Sequence, residues 1–82
     1  MNIKILGGQG EKLNELQENT KQAMKRLGIK ANIKQITDIQ TILEHGVIMT
    51  PALIINDRIR TSGKVPNTEK IIEILKVVIK NK

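Results

Sequence analysis

Short apolar runs alternate with segments of helical hydrophobic spacing along the whole of this 82-residue chain. The first run, Ile3 to Leu6, ends at a glycine-rich loop, which predicts a strand followed by a tight turn. From about Glu11 to Leu27 apolar residues recur every three or four positions, which predicts a helix that ends at Gly28. Strands that alternate with helices in this way favour a layered α/β fold.

The middle of the chain continues the alternation with shorter elements. A second strand and then a short helix are each marked by three apolar residues: Ala31, Ile33 and Ile36 for the strand, and Ile39, Ile42 and Leu43 for the helix. Thr37 or Asp38 can cap this helix, and Gly46 closes it.

The second half of the chain predicts a hairpin and a last helix. Ala52 to Ile55 is a continuous apolar run, typical of a strand covered on both faces, and Asn56-Asp57 then forms a two-residue turn. Arg58 to Ser62 alternates charged and apolar residues, as an exposed edge strand does. Asn67 or Thr68 caps the last helix, whose predicted buried face consists of Ile71, Ile72, Leu75, Val78 and Ile79. The expected fold is one α/β domain over residues 1–82, with a central four-stranded mixed sheet flanked by three helices.

The absence of certain residue types limits the chemistry of this chain. Cys, Phe, Tyr and Trp are all missing, so the core must be aliphatic. No thiolate nucleophile, disulfide or cysteine-based metal site can form, and no aromatic platform can stack on bases. The single histidine, His45, excludes a two-histidine metal site within one chain. Neither a metal nor a cofactor is expected.

The charge distribution bears on the class of partner. The net charge is +6, but each half of the chain carries seven Lys/Arg and four Asp/Glu, so the excess is spread evenly. Without a basic cluster or a reader motif, a solvated basic surface is favoured over a nucleic-acid interface. No apolar run approaches the roughly 20 residues of a membrane span, so a cytoplasmic protein is expected. The charged edge strand favours a monomer or a weak dimer.

The loop after the first strand, Gly7-Gly8-Gln9-Gly10-Glu11-Lys12, is the first candidate for a site. Backbone N–H groups and the positive end of the helix dipole converge at such a loop. It lacks the spacing of a P-loop, however, and Leu13 stands where the dinucleotide fingerprint has its third glycine. A close turn is therefore favoured over an anion site, and Gln9 can offer its amide to a ligand or to water.

Several segments together resemble a known family. They are Met1-Asn2-Ile3-Lys4-Ile5-Leu6-Gly7, Lys25-Arg26-Leu27-Gly28-Ile29, Thr37-Asp38-Ile39, the run from Gly46 through Thr50-Pro51 to Asn56, and Ser62-Gly63-Lys64-Val65-Pro66. This pattern, which covers essentially the whole chain, is similar to the small archaeal and bacterial thioredoxin-like proteins of glutaredoxin size, often called redox-active disulfide proteins. The resemblance implies a thioredoxin-like βαβαββα fold and a cis Thr50-Pro51 bond beside the site.

The chain differs from that family at the positions of the family's reactive residues. The positions of the Cys-x-x-Cys motif hold Gly10 and Leu13. Thiol–disulfide exchange needs one thiolate to attack and a second thiol to resolve the mixed disulfide. A dithiol oxidoreductase is therefore excluded, and natural divergence from a redox ancestor is favoured over engineering.

What remains of the family's site is its binding surface. In the family, the backbone of the residue before the cis-proline pairs with an extended peptide, a form of strand addition. The first hypothesis is a noncatalytic binding module for a polypeptide or a small thiol-type ligand, with an inert relic groove as the alternative. The expected groove residues are Gly8, Gln9, Gly10, Met49, Thr50, Pro51 and Gly63. Met49 can be an exposed contact in this groove, although a role as a core gap-filler is favoured.

Two further function classes stay open at this point. A non-thiol enzyme or an anion-binding protein would use the glycine loop, with His45, Glu11 and Asp38 as acid or base candidates. All three stand at helix ends, where capping and dipole effects account for them. A basic nucleic-acid-binding protein would show a steep dependence of affinity on salt.

Overall fold

The predicted alternation of strands and helices is present in the computed structural model, which describes residues 1–81. The elements occur in the expected order: β1 (Ile3–Leu6), α1 (Glu11–Leu27), β2 (Ile33–Ile36), α2 (Ile39–Glu44), β3 (Ala52–Ile55), β4 (Arg58–Ser62) and α3 (Thr68–Lys80). None of these helices has both the length and the apolar content needed to cross a membrane.

The four strands form one mixed sheet in the order β2-β1-β3-β4. Strand β1 runs parallel to β2, which it reaches through α1, and antiparallel to β3 on its other side. The turn at Asn56 and Asp57, with φ of 52° and 65°, joins β3 to the antiparallel strand β4. The predicted α/β fold with a central four-stranded mixed sheet and three helices is confirmed.

Strand β3 is covered on both faces, which accounts for its continuous apolar run. Leu53 and Ile55 join the larger core, to which α1 and α3 contribute, while Ala52 and Ile54 join the smaller core beneath α2. All four residues are buried because successive side chains of a strand point to opposite faces and both faces are covered. Aliphatic side chains fill both cores.

The short helix buries few of its apolar residues, and the predicted buried face of the last helix is wrong at one residue. Helix α2 has six residues and buries only Ile42, whereas Ile39 is 74% and Leu43 61% exposed. A helix of fewer than two turns presents few positions to the sheet beneath it. On α3, Ile71, Leu75 and Val78 are buried and Ile72 partly so, but Ile79 is 45% exposed.

The helix caps settle the alternatives that the sequence left open. Asp38 rather than Thr37 caps α2, and Asn67 rather than Thr68 caps α3, each accepting a hydrogen bond from a backbone N–H three residues on. Gly28 ends α1 in the left-handed conformation, with φ of 67°. These short-range bonds satisfy backbone groups that helix ends otherwise leave without a partner.

The cap of α2 predicts a dependence of stability on pH. The hydroxyl of Thr41, at 2.7 Å, and its backbone N–H, at 2.9 Å, donate to Asp38 Oδ2 and lower the pKa of that carboxyl. The ionised group therefore stabilises the fold above its unfolded pKa of about 3.9, and this contribution is lost as the pH falls through the lower folded value. Asp38→Asn keeps an acceptor but removes the charge. The melting temperature of wild type should exceed that of the variant at neutral pH, with a gap that closes on acidification below about pH 4. A gap that is constant from neutral to strongly acid pH would contradict this assignment.

Candidate functional site

An open cavity lies where β1 runs into α1. Its volume is about 460 Å³, and its lining consists of residues 7–13 together with Thr50 and Pro51. The register of the sheet brings these two segments together. Leu6, the last residue of β1, pairs with Ala52, the first residue of β3, so the residues just beyond them meet at the same edge.

The glycine loop forms one wall of this cavity largely with backbone atoms. A Cβ at Gly7 would lie 3.4 Å from both the Pro51 Cα and the Leu13 Cδ1, which shows how closely the two segments approach. Gly8, Gln9 and Gly10 are exposed, and a Cβ at either glycine would meet no atom within 4 Å. The loop therefore leaves its backbone accessible to a ligand.

The two residues that the resemblance aligns with a Cys-x-x-Cys motif differ in environment. Gly10 is the exposed N-cap of α1, and its carbonyl accepts a hydrogen bond from Asn14 N at 3.0 Å. Leu13 lies one turn further along, lines the cavity and belongs to the larger core, with 1% of its surface exposed. Position 10 can therefore face a ligand, while position 13 contributes to the stability of the fold.

The opposite wall is the segment that enters β3. The Thr50-Pro51 peptide bond is cis, Pro51 is buried and its carbonyl accepts a hydrogen bond from Gly63 N at 3.0 Å. Thr50 is exposed, and within residues 1–81 its backbone N–H and C=O take part in no hydrogen bond. The wall thus offers a ligand a free backbone donor and a free backbone acceptor.

Comparison with known proteins decides the family. The profile of the thioredoxin domain matches residues 1–76. The chain belongs to the thioredoxin-domain family. A thioredoxin of Methanocaldococcus jannaschii is 40% identical over 80 residues, which cover 98% of this chain and 92% of that protein. A thioredoxin of Methanothermobacter thermautotrophicus is 33% identical over 75 residues, covering 92% and 97%. The resemblance read from the sequence is confirmed.

This thioredoxin-domain protein keeps the expected groove residues near one another, but they do not all line one cavity. Gly8, Gln9 and Gly10 face the cavity with Thr50 and Pro51, whereas Met49 and Gly63 lie outside its lining. A Cβ at Gly63, where φ is +81°, would lie 3.1 Å from Met49 Cβ, so these two residues pack together. Met49 is 62% exposed, and the interpretation of Met49 as a core gap-filler is therefore wrong.

The acid and base candidates of this thioredoxin-domain protein are divided between two places. Glu11 lines the cavity at α1, while Asp38 and His45 line a separate cavity beside α2. His45 Nδ1 lies 2.7 Å from the Thr41 carbonyl, and its Nε2 lies 3.4 Å from Lys4 Nζ. His45 is the C-cap residue of α2, as predicted. Within residues 1–81, no three metal-binding side chains lie close enough to hold an ion.

Sequence reasoning missed two features of this thioredoxin-domain protein. Ile48 is 90% exposed beside the groove, although its apolar character gives no sign of this. The second feature is a pair of buried polar atoms without partners on β4, at Arg60 and Thr61. The alternating pattern of β4 predicted an edge strand but could not show which polar groups would lack a partner.

Proposed function

We propose that this protein is a noncatalytic binding module that holds an extended polypeptide segment in the cavity between the glycine loop and Thr50. The observation that carries the proposal is the free backbone of Thr50 in an accessible cavity of about 460 Å³. The sequence has no cysteine, so neither thiol of a dithiol exchange reaction is present. Binding is the capacity that remains at this site.

An extended polypeptide fits the chemistry of this cavity. Strand addition uses a backbone N–H and C=O on the receptor, which Thr50 provides, and pockets for alternate side chains give specificity. The exposed apolar side chains of Ile48 and Met49 immediately precede Thr50 along the chain. They supply hydrophobic surface for a side chain of such a segment, because burying an apolar surface favours association.

The test selects peptides from a random linear library on the immobilised wild-type protein and measures their affinities by calorimetry. Gly8→Asp adds a charged side chain to the lining of the cavity and should leave the fold intact, since a Cβ at Gly8 meets no atom within 4 Å. We expect this variant to lose at least about tenfold in affinity, equivalent to one or two hydrogen bonds. Thr50→Pro removes the backbone N–H at that position and is expected to weaken binding of the same peptides.

A matched control separates blocking of the cavity from a general effect of charge. Asn32→Asp introduces the same charge at an exposed position outside the cavity and should leave affinity unchanged. The proposal fails if no peptide is enriched on the wild-type protein. It also fails if Gly8→Asp and Asn32→Asp bind the selected peptides equally well.

A further inference from the structure

A further cavity, of about 740 Å³, lies between β4 and the start of α3. Among residues 1–81, two side-chain atoms are buried without a hydrogen-bond partner, Arg60 Nε and Thr61 Oγ1, and both belong to residues that line this cavity. Buried polar groups in native proteins are nearly always paired, so an unpaired group calls for an explanation. Both atoms have almost no surface accessible to water, so they lie within the wall of the cavity. A ligand that draws these two side chains toward it would supply the missing acceptor.

A bulge in the sheet places Arg60 in this position. Ile59 pairs with Ile54 and Thr61 pairs with Leu53, so Arg60 is the extra residue of β4 and has no paired residue opposite it in the register of β3. A β-bulge redirects side chains at the edge of a sheet. The guanidinium makes one long contact, 3.4 Å from Nη2 to the Ile55 carbonyl. Its capacity as a donor is therefore largely unused.

The charge around this cavity is positive. Lys64 and Lys70 line it together with Arg60. Lys70 Nζ lies 3.6 Å from Glu73 Oε2, while Arg60 and Lys64 form no ion pair within the part of the chain that the structure describes. Residues that carry a guanidinium, a hydroxyl and ammonium groups thus line one cavity, and such groups suit a ligand with several acceptor oxygens.

We infer that this cavity binds a phosphate group, either as inorganic phosphate or as a small phosphate monoester. Arg60 donates to the phosphate oxygens through its guanidinium, Thr61 through its hydroxyl, and Lys64 supplies a further positive charge. A phosphate has more acceptor oxygens than a carboxylate, and the cavity has room for an attached organic group. The site shares no lining residue with the cavity at Thr50, so the inference does not rest on the proposed function.

The experiment titrates the ¹⁵N-labelled protein with sodium phosphate, replacing sodium chloride so that ionic strength stays constant. We expect saturable shifts of the Arg60 side-chain Nε–H signal and of the Thr61, Ser62 and Lys64 amides. Methyl phosphate in a second titration distinguishes an ester from the free ion, according to which binds more tightly. Sodium acetate serves as the carboxylate comparison, with a half-saturation concentration expected to be several times higher.

Three variants make the assignment specific. Arg60→Gln should raise the half-saturation concentration at least about tenfold, as expected for loss of a charge-assisted bond, and Thr61→Val should raise it by a smaller factor. Arg58→Gln is the matched control, because Arg58 is on the same strand with the same charge but does not line this cavity. It should change the value less than about twofold, as a screened surface charge does.

The inference is wrong if the shifts never saturate or if they spread over the lysines of α1. It is also wrong if Arg60→Gln and Arg58→Gln have equal effects, or if acetate binds as tightly as phosphate. Because Thr61→Val is nearly isosteric, it keeps the test decisive even if Arg60→Gln disturbs the fold. If Thr61→Val then leaves the half-saturation concentration unchanged, the inference is wrong.

Discussion

The double variant Gly10→Cys/Leu13→Cys is expected to gain dithiol oxidoreductase activity, starting from a wild-type chain that has no thiol. Gly10 is the N-cap of α1 and Leu13 lies in its first turn, and both line the same cavity, so the two introduced thiols are expected to reach each other. The thiol at position 10 would stand at the N-terminus of α1, where the helix dipole stabilises a thiolate and lowers its pKa. A Cβ at Gly10 meets no atom within 4 Å, so the first substitution fits without rearrangement.

The measurement is the rate at which the reduced variant cleaves a protein disulfide in the presence of dithiothreitol. The double variant Gly10→Ser/Leu13→Ser serves as the control, since it makes similar changes of size without introducing sulfur. Its rate should equal that of the wild type. Failure of the folded cysteine variant to form an internal disulfide under oxidising conditions would show that this scaffold no longer supports the reaction.

Of the two substitutions in the double cysteine variant, only the one at Leu13 is expected to lower stability substantially. Leu13 is 1% exposed and belongs to the larger core, so shortening its side chain leaves a cavity. Loss of a buried leucine side chain costs about 2–5 kcal/mol when it becomes alanine, and cysteine should cost somewhat less. Gly10 is exposed and is an N-cap without a side-chain hydrogen bond, so its substitution should cost no more than about 1 kcal/mol.

The second large effect is expected for Leu53→Ala in β3. Leu53 has no exposed surface and lies in the larger core, on an interior strand of the sheet. Its truncation should lower the free energy of unfolding by about 2–5 kcal/mol. Small domains have a total stability of about 5–15 kcal/mol, so one substitution removes a large share. Urea denaturation followed by circular dichroism measures the loss.

Leu43→Ala is the matched control for that experiment. The substitution is chemically the same, but Leu43 is 61% exposed on α2. Its effect should stay within about 0.5 kcal/mol, as for most surface substitutions. Losses of similar size at the two positions would mean that Leu43 is covered in solution, which would contradict the exposed face of α2.

Hydrophobic spacing was a reliable guide to the long helix and a weaker one to the short helix. The predicted bounds of α1, from Glu11 to Leu27, agree with the structure because 17 residues of regular spacing leave little ambiguity. In α2, by contrast, apolar residues at Ile39 and Leu43 have helical spacing and yet face solvent. Spacing shows which residues share a face, but only packing shows whether another element covers that face.

The candidate site was predicted in part. The glycine loop and Thr50-Pro51 were expected together from the family resemblance, and they line one cavity. The exposed position of Met49 could not be predicted, because its packing against Gly63 depends on how the segment before β3 lies against the residue that follows β4. The unpaired atoms of Arg60 and Thr61 lie on a strand with a bulge, and the alternation of β4 reveals neither the bulge nor the unpaired atoms.

The sequence by itself determined the order of strands and helices and excluded thiol chemistry, because local hydrophobic spacing and the absence of cysteine can be read directly from the chain. Only the tertiary structure decided which distant groups meet. The pairing of Leu6 with Ala52 brings the glycine loop to Thr50, and the bulge in β4 leaves Arg60 without a paired residue opposite it on β3. The physical reason is that spacing along a chain is a local property, whereas a site forms from residues that sheet register and packing bring together.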